Sequence, residues 1–186
     1  GAGWRINGPE LIFYNPEIKD KITQEQIFYA GKATAEIGLL DFLLGRSLVI
    51  DQLIFNQINL DLKYTKNSGF LFQGLNLDIF ASFFNNSSKE IPSFTLIGEE
   101  IKLNLNLIDQ DKAIVVSIPS VTMEINADEV KFDTTFELPE NLGQSMLLSA
   151  SKRDEGDQLS SEWRLYLEGK SLNIMAWQAL QFYKLK

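Results

Sequence analysis

The run LVIDQLIFNQINLDLKY, Leu48 to Tyr64, constrains the fold most. Its even positions are Leu48, Ile50, Gln52, Ile54, Asn56, Ile58, Leu60, Leu62 and Tyr64, and the odd positions after Phe55 are Gln57, Asn59, Asp61 and Lys63. A period of two predicts a strand with one apolar and one wet face. At about 3.3 Å per residue the run spans roughly 50 Å, whereas strands usually stop after about 5–6 residues. A strand of that length calls for a large sheet, and its oily side must meet either a cover or a ligand.

Further runs supply partners. FLFQG after the turn Lys66-Asn67-Ser68-Gly69 reads as a short return strand. SFTLIGEEIKLNLNLID aligns Ile101, Leu103, Leu105 and Leu107 on one face, and KAIVVSIPSVTMEINA aligns Ile114, Val116 and Ile118. Pro119 then shifts the phase, so that Val121, Met123 and Ile125 resume on the other parity, as a β-bulge would produce. WRINGPELIFY reads as an early strand interrupted at Gly8-Pro9, and IFYAGKATAEI as a second strand. EVKFDTTFEL, QSMLLSASK and SEWRLYLEG complete the set. Short helices are expected near Leu39–Leu44, which ends at Gly45, near Leu77–Phe84, and over Leu172–Gln181. The predicted fold class is mainly β: a long antiparallel β-meander sheet, curved or groove-forming, with a few short helices.

The 186 residues carry a formal net charge of -8 and contain neither histidine nor cysteine. An acidic chain without a basic stripe does not neutralise phosphates, which argues against nucleic acid and against electrostatic docking on anionic headgroups. Without histidine or cysteine no Ser-His-Asp or Cys-His relay can be built, and zinc would have only carboxylate ligands. No apolar run of about 20 residues is present to span a bilayer. The chain opens Gly1-Ala2-Gly3-Trp4, already reading as strand, so a targeting segment is expected to lie outside it.

The carboxylates are poorly placed for acid–base work. Glu99 and Glu100 are adjacent on a strand and read as solvated residues at a bulge. Asp154, Glu155 and Asp157 crowd a turn without the spacing of an EF-hand loop. The sequons in Asn85-Asn86-Ser87-Ser88 are three-residue patterns that arise by chance. No glycine-rich phosphate loop occurs. The chain therefore reads as a non-enzyme with no cofactor and no metal site.

What remains is the apolar face itself. It is either core packed beneath a second sheet or an open surface that holds something oily. The face is expected to comprise Ile58, Leu60, Leu62 and Tyr64, continued by Leu103, Leu105, Leu107, Ile114, Val116 and Ile118.

The run LLDFLLGRSLVIDQLIFNQINLDLKYTKNSGFLFQGL resembles the N-terminal region of the AsmA-like family, most closely its YhdP-type branch. Shared features are a short leucine-rich helix, Gly45-Arg46, an alternating apolar strand, and an aromatic return strand ending in Gly74-Leu75. GWRINGPELIFYNPE resembles the family's early strand, and WRLYLEGKSLNIMAWQAL the start of its following domain. The resemblance implies two parts: residues 1–168 as a groove module and 169–186 as the beginning of the next domain. It implies a section of a longer periplasmic polypeptide, anchored in the inner membrane by a helix outside this chain. The implied role is bridge-like phospholipid transport toward the outer membrane, with acyl chains in an oily β-groove and no catalytic residues. A β module of the cell envelope that contacts another protein, without lipid, is the alternative. A carbohydrate-binding sandwich is weaker, because Trp4, Trp163 and Trp177 are far apart in sequence.

Overall fold

The computed structural model describes residues 1–5, 8–19, 21, 24, 26–38, 49–65, 69–76, 93–107, 113–126, 128–153 and 163–179. The expected helices at Leu39–Leu44 and Leu77–Phe84, the sequons and the acidic turn at Asp154–Asp157 lie outside them. The described strands are β1 (Ala2–Arg5), β2 (Gly8–Tyr14), β3 (Glu17–Lys19), β4 (Gln26–Ile37), β5 (Ile50–Thr65) and β6 (Gly69–Phe72). They continue as β7 (Leu75–Asn76), β8 (Phe94–Asn106), β9 (Ile114–Ile125), β10 (Glu129–Glu137), β11 (Ser145–Arg153) and β12 (Trp163–Lys170). One helix, α1 (Ile174–Ala179), follows. None of the described helices is long and apolar enough to cross a membrane.

All the strands join one open sheet in the order β1-β2-β4-β5-β8-β9-β10-β11-β12, with β3, β6 and β7 off that path. The expected mainly β class and the long strands are present. Two details differ from the sequence reading. WRINGPELIFY is not one interrupted strand: β1 and β2 pair antiparallel, with Arg5 opposite Gly8. Gly8 opens β2 at φ 135°, a backbone conformation that favours glycine. The meander is also broken once, because β5 and β8 run parallel, Gln52 beside Thr95 through Lys63 beside Asn106. Two meanders are thus joined at a parallel seam.

A line of irregularities crosses the sheet. Ala30, Ile58, Ile101 and Ile118 form one lateral row, and Ala33, Phe55, Gly98 and Val121 form the next. Each of these four strands therefore advances three residues between rows instead of the two that pleating requires. Gln57 (φ 58°) and Glu100 (φ 53°) absorb the extra residue in the left-handed region, as does Asn15 (φ 51°), whose N–H donates to the Gly31 carbonyl at 2.9 Å. In β9 the extra residue falls at Pro119-Ser120, the bulge expected there. The line ends against β10, where Thr134–Glu137 spans three steps and Val121–Ser117 four. The Thr134 hydroxyl donates to the Ser120 carbonyl at 3.1 Å, satisfying a backbone group that the bulge displaces.

This crease corrects the reading of Leu48–Tyr64 as one unbroken alternation. Phe55 packs with the Ile58 cluster, so Phe55 shares the apolar face of Ile58 and Leu60, while Ile54 falls on the opposite face. The core sits at the crease. Ala30, Ile58, Ile101 and Ile118 are buried, with Phe28, Phe55, Leu60, Leu103, Val121 and Phe136 packed against them. Phe28 and Phe55 meet edge to face, ring centres 5.2 Å apart. Gly98 leaves room for this cluster, since a Cβ there would stand 2.8 Å from both Ile101 Cδ1 and Val121 Cγ1.

At the other end, Pro139–Gly143 forms a turn that α1 grips. Asn173 caps the helix through its Oδ1, which accepts from the Ala176 N–H at 3.2 Å, and Trp177 Nε1 donates to the Leu142 carbonyl at 2.8 Å. Of the helix expected over Leu172–Gln181, Ile174–Ala179 is present, and residues 180–181 lie outside the described residues.

Candidate functional site: an apolar sheet face

Beyond the crease, the apolar face of β5, β8 and β9 is built row by row. Leu60 lies beside Leu103, which lies beside Val116; Leu62 lies beside Leu105, which lies beside Ile114. β6 extends the second row, placing Phe72 beside Leu62 and Phe70 beside Tyr64. The Tyr64 and Phe70 rings meet at a centroid distance of 4.9 Å, inclined by 62°. On the near side of the crease the face continues through Leu53, Leu96, Met123, Phe132 and Ala150 in a single lateral row.

Beside and beyond the crease the opposite face carries polar pairs. Asn56 donates to Glu99, and Asn104 Nδ2 donates to Asp61 Oδ1 at 2.9 Å, each pair bridging the parallel seam. Asn59 and Lys102 are neighbours between them. Farther along, Glu129 carries an ion pair to Lys131 at 3.2 Å and another to Arg153 at 3.5 Å. The hydrogen bond from Lys131 holds its carboxyl below the usual range. A shallow depression of about 220 Å³ on β10–β12 is lined by Lys131, Asp133, Ser149 and Tyr166 among others. Asp133 there accepts from Ser149 at 2.6 Å, and the Tyr166 hydroxyl donates to Glu168 at 2.7 Å.

The ten residues expected on the face divide into two kinds. Ile58, Val116 and Ile118 are buried and serve as core. Leu60, Leu62, Tyr64, Leu103, Leu105, Leu107 and Ile114 are only half-buried. A leucine under a second sheet in a close-packed interior loses nearly all its exposure, and these side chains keep part of theirs. All the described strands belong to the single sheet, and among the described residues no second sheet lies on this face.

Sequence reasoning missed Phe70 and Phe72, although their spacing of two carried the signal. It also missed Phe55 and Phe28, for which no local signal exists, because the crease alone turns Phe55 to this face. Glu99 and Glu100 are exposed at the crease, as solvated residues at a bulge would be. Trp177 is committed to the Leu142 carbonyl, and Trp163 stands exposed on β12. Comparison with protein-family models and with curated proteins returned no match.

Proposed function

We propose that this chain is a non-enzymatic groove section that holds lipid acyl chains along the apolar face of β5, β6, β8 and β9. The carrying observation is the half-buried row Phe72–Leu62–Leu105–Ile114, an apolar strip with no second sheet over it among the described residues. Hydrocarbon asks for nothing else, since each buried CH₂ contributes about 0.8 kcal/mol without a polar partner. That requirement also accounts for a site without a motif. In this reading the chain is part of a longer periplasmic polypeptide anchored in the inner membrane outside this stretch. It contributes to phospholipid movement between the two membranes of the envelope, as the AsmA-like resemblance implies.

The test is native mass spectrometry of the purified chain after exposure to phospholipid vesicles, alongside Leu62→Asp and Leu105→Asp. A lone carboxylate against hydrocarbon is strongly unfavourable, so both variants should keep the parental circular dichroism and lose lipid adducts. Asn59→Asp, on the wet face, should keep them. Folded leucine variants that bind lipid as well as the parent would sink the proposal. Unfolding of both would assign the face to closed core instead. The alternative, an envelope β module that engages protein, draws on a different feature: the exposed apolar strand β12.

A further inference from the structure

The two edges of the sheet are protected unequally. β1 is four residues long, and a short edge offers little to pair with. β12 is eight residues long and among the described residues pairs only with β11. It contains no proline and keeps an unbroken register with β11 from Trp163 to Lys170. Every residue in it is exposed, Leu165 to 72 % and Leu167 to 61 %. Such an edge is a template for another strand.

The order of residues along β12 says which strand fits. In WRLYLEGK, Arg164 and Glu168 stand symmetrically about Tyr166, and so do Leu165 and Leu167. We propose that β12 pairs antiparallel with β12 of a second copy of this chain, with Tyr166 on the two-fold axis. In that register Arg164 faces Glu168 of the second copy and Glu168 faces its Arg164. Leu165 faces Leu167 twice, and Trp163 comes against Gly169, on which Leu172 already packs. Opposite charges and apolar pairs directly across strands are the favourable combinations. A two-residue shift one way sets Arg164 against Lys170, a like-charge pair. The same shift the other way takes Arg164 to Tyr166 and dissolves both ion pairs. A one-residue shift puts each leucine row on the wrong face. The self-complementary interface is of the isologous kind that closes at two copies. It joins the two apolar faces on one side of a continuous sheet. Nothing in it rests on the lipid reading, which stands or falls separately.

The chain contains no cysteine, so the register can be read with a single one. Tyr166→Cys would meet itself across the axis, at the Cα separation of about 4.5–5.5 Å of facing antiparallel residues, within disulfide reach. Mild oxidation should convert it to a covalent dimer, whereas Tyr14→Cys, more exposed still but on β2, should stay a monomer. Sedimentation equilibrium should show a dimer that weakens with salt. Arg164→Glu and Glu168→Arg should each raise its dissociation constant at least tenfold, and the double swap should restore it. Each variant is made on an exposed edge and should keep the parental circular dichroism. A parent that stays monomeric up to high micromolar concentration would overturn the proposal. So would single swaps that dimerise as the parent does, a double swap that fails to restore pairing, or equal cross-linking at Tyr14→Cys and Tyr166→Cys.

Discussion

Two rows of the same apolar face, a few residues apart along β5, live in different environments. Ile58, Ile101 and Ile118 are 5 %, 3 % and 6 % exposed. Leu62, Leu105 and Ile114, similar in size and polarity and in the same three strands, are only partly buried. Lateral neighbours do not explain the contrast, since both rows have them. The crease does. It brings Phe28, Phe55, Val121 and Phe136 onto the first row, while the second row lies beyond its reach. Alternation in sequence thus tells which side a residue faces, and the irregularity beside it decides whether that side is closed.

The largest expected effects break the comparison directly. Ile101→Ala removes buried methyl groups from a tightly packed cluster and should cost about 2–5 kcal/mol of stability. Leu62→Ala, which leaves less buried surface behind, should cost under about half as much. Chemical denaturation of the two variants measures the difference, and equal losses would mean that the distal row is as closed as the proximal one. Gly98→Ala comes next. Its Cβ would push on Ile101 and Val121 at the crease, and overpacking of this kind costs about 1–3 kcal/mol.

The crease can also be relaxed. Gln57→Gly and Glu100→Gly remove the Cβ penalty of a left-handed backbone, while glycine gains unfolded-state entropy. The net should be a gain of about 0.5 kcal/mol each, seen as a shift of the denaturation midpoint, if the positive φ values are intrinsic to the folded sheet. Loss of stability would show that the side chains themselves hold the bend. Smallest of all is Asn59→Asp, exposed on the wet face beside Lys102. It should leave stability within about 0.5 kcal/mol of the parent.

Much of this was legible from residue spacing. The strands β8 to β12 fall where alternating runs place them, and Pro119, which cannot donate to a ladder, announces its own bulge. Gln57 and Glu100 announce nothing, because positive φ in ordinary residues is imposed by neighbouring strands that must bend together. The distal row was readable as apolar but not as partly covered, since coverage is a property of what lies above a face. The seam was hidden for a related reason. Adjacent runs suggest hairpins, and no local pattern tells β8 that it will lie parallel to β5 rather than antiparallel to its predecessor.

That seam orders events in time. Within β1–β5 and within β8–β12, each strand finds a partner close by along the chain. The seam instead joins residues 43 apart, as Asp61 and Asn104 are, and non-local parallel pairing is the slow kind. During synthesis the first meander is complete with Ile58 still awaiting Ile101, which has not yet been made. The buried cluster therefore cannot close on the first meander alone, and until β8 and β9 have been made a nascent chain carries Ile58 without its neighbours Ile101 and Ile118.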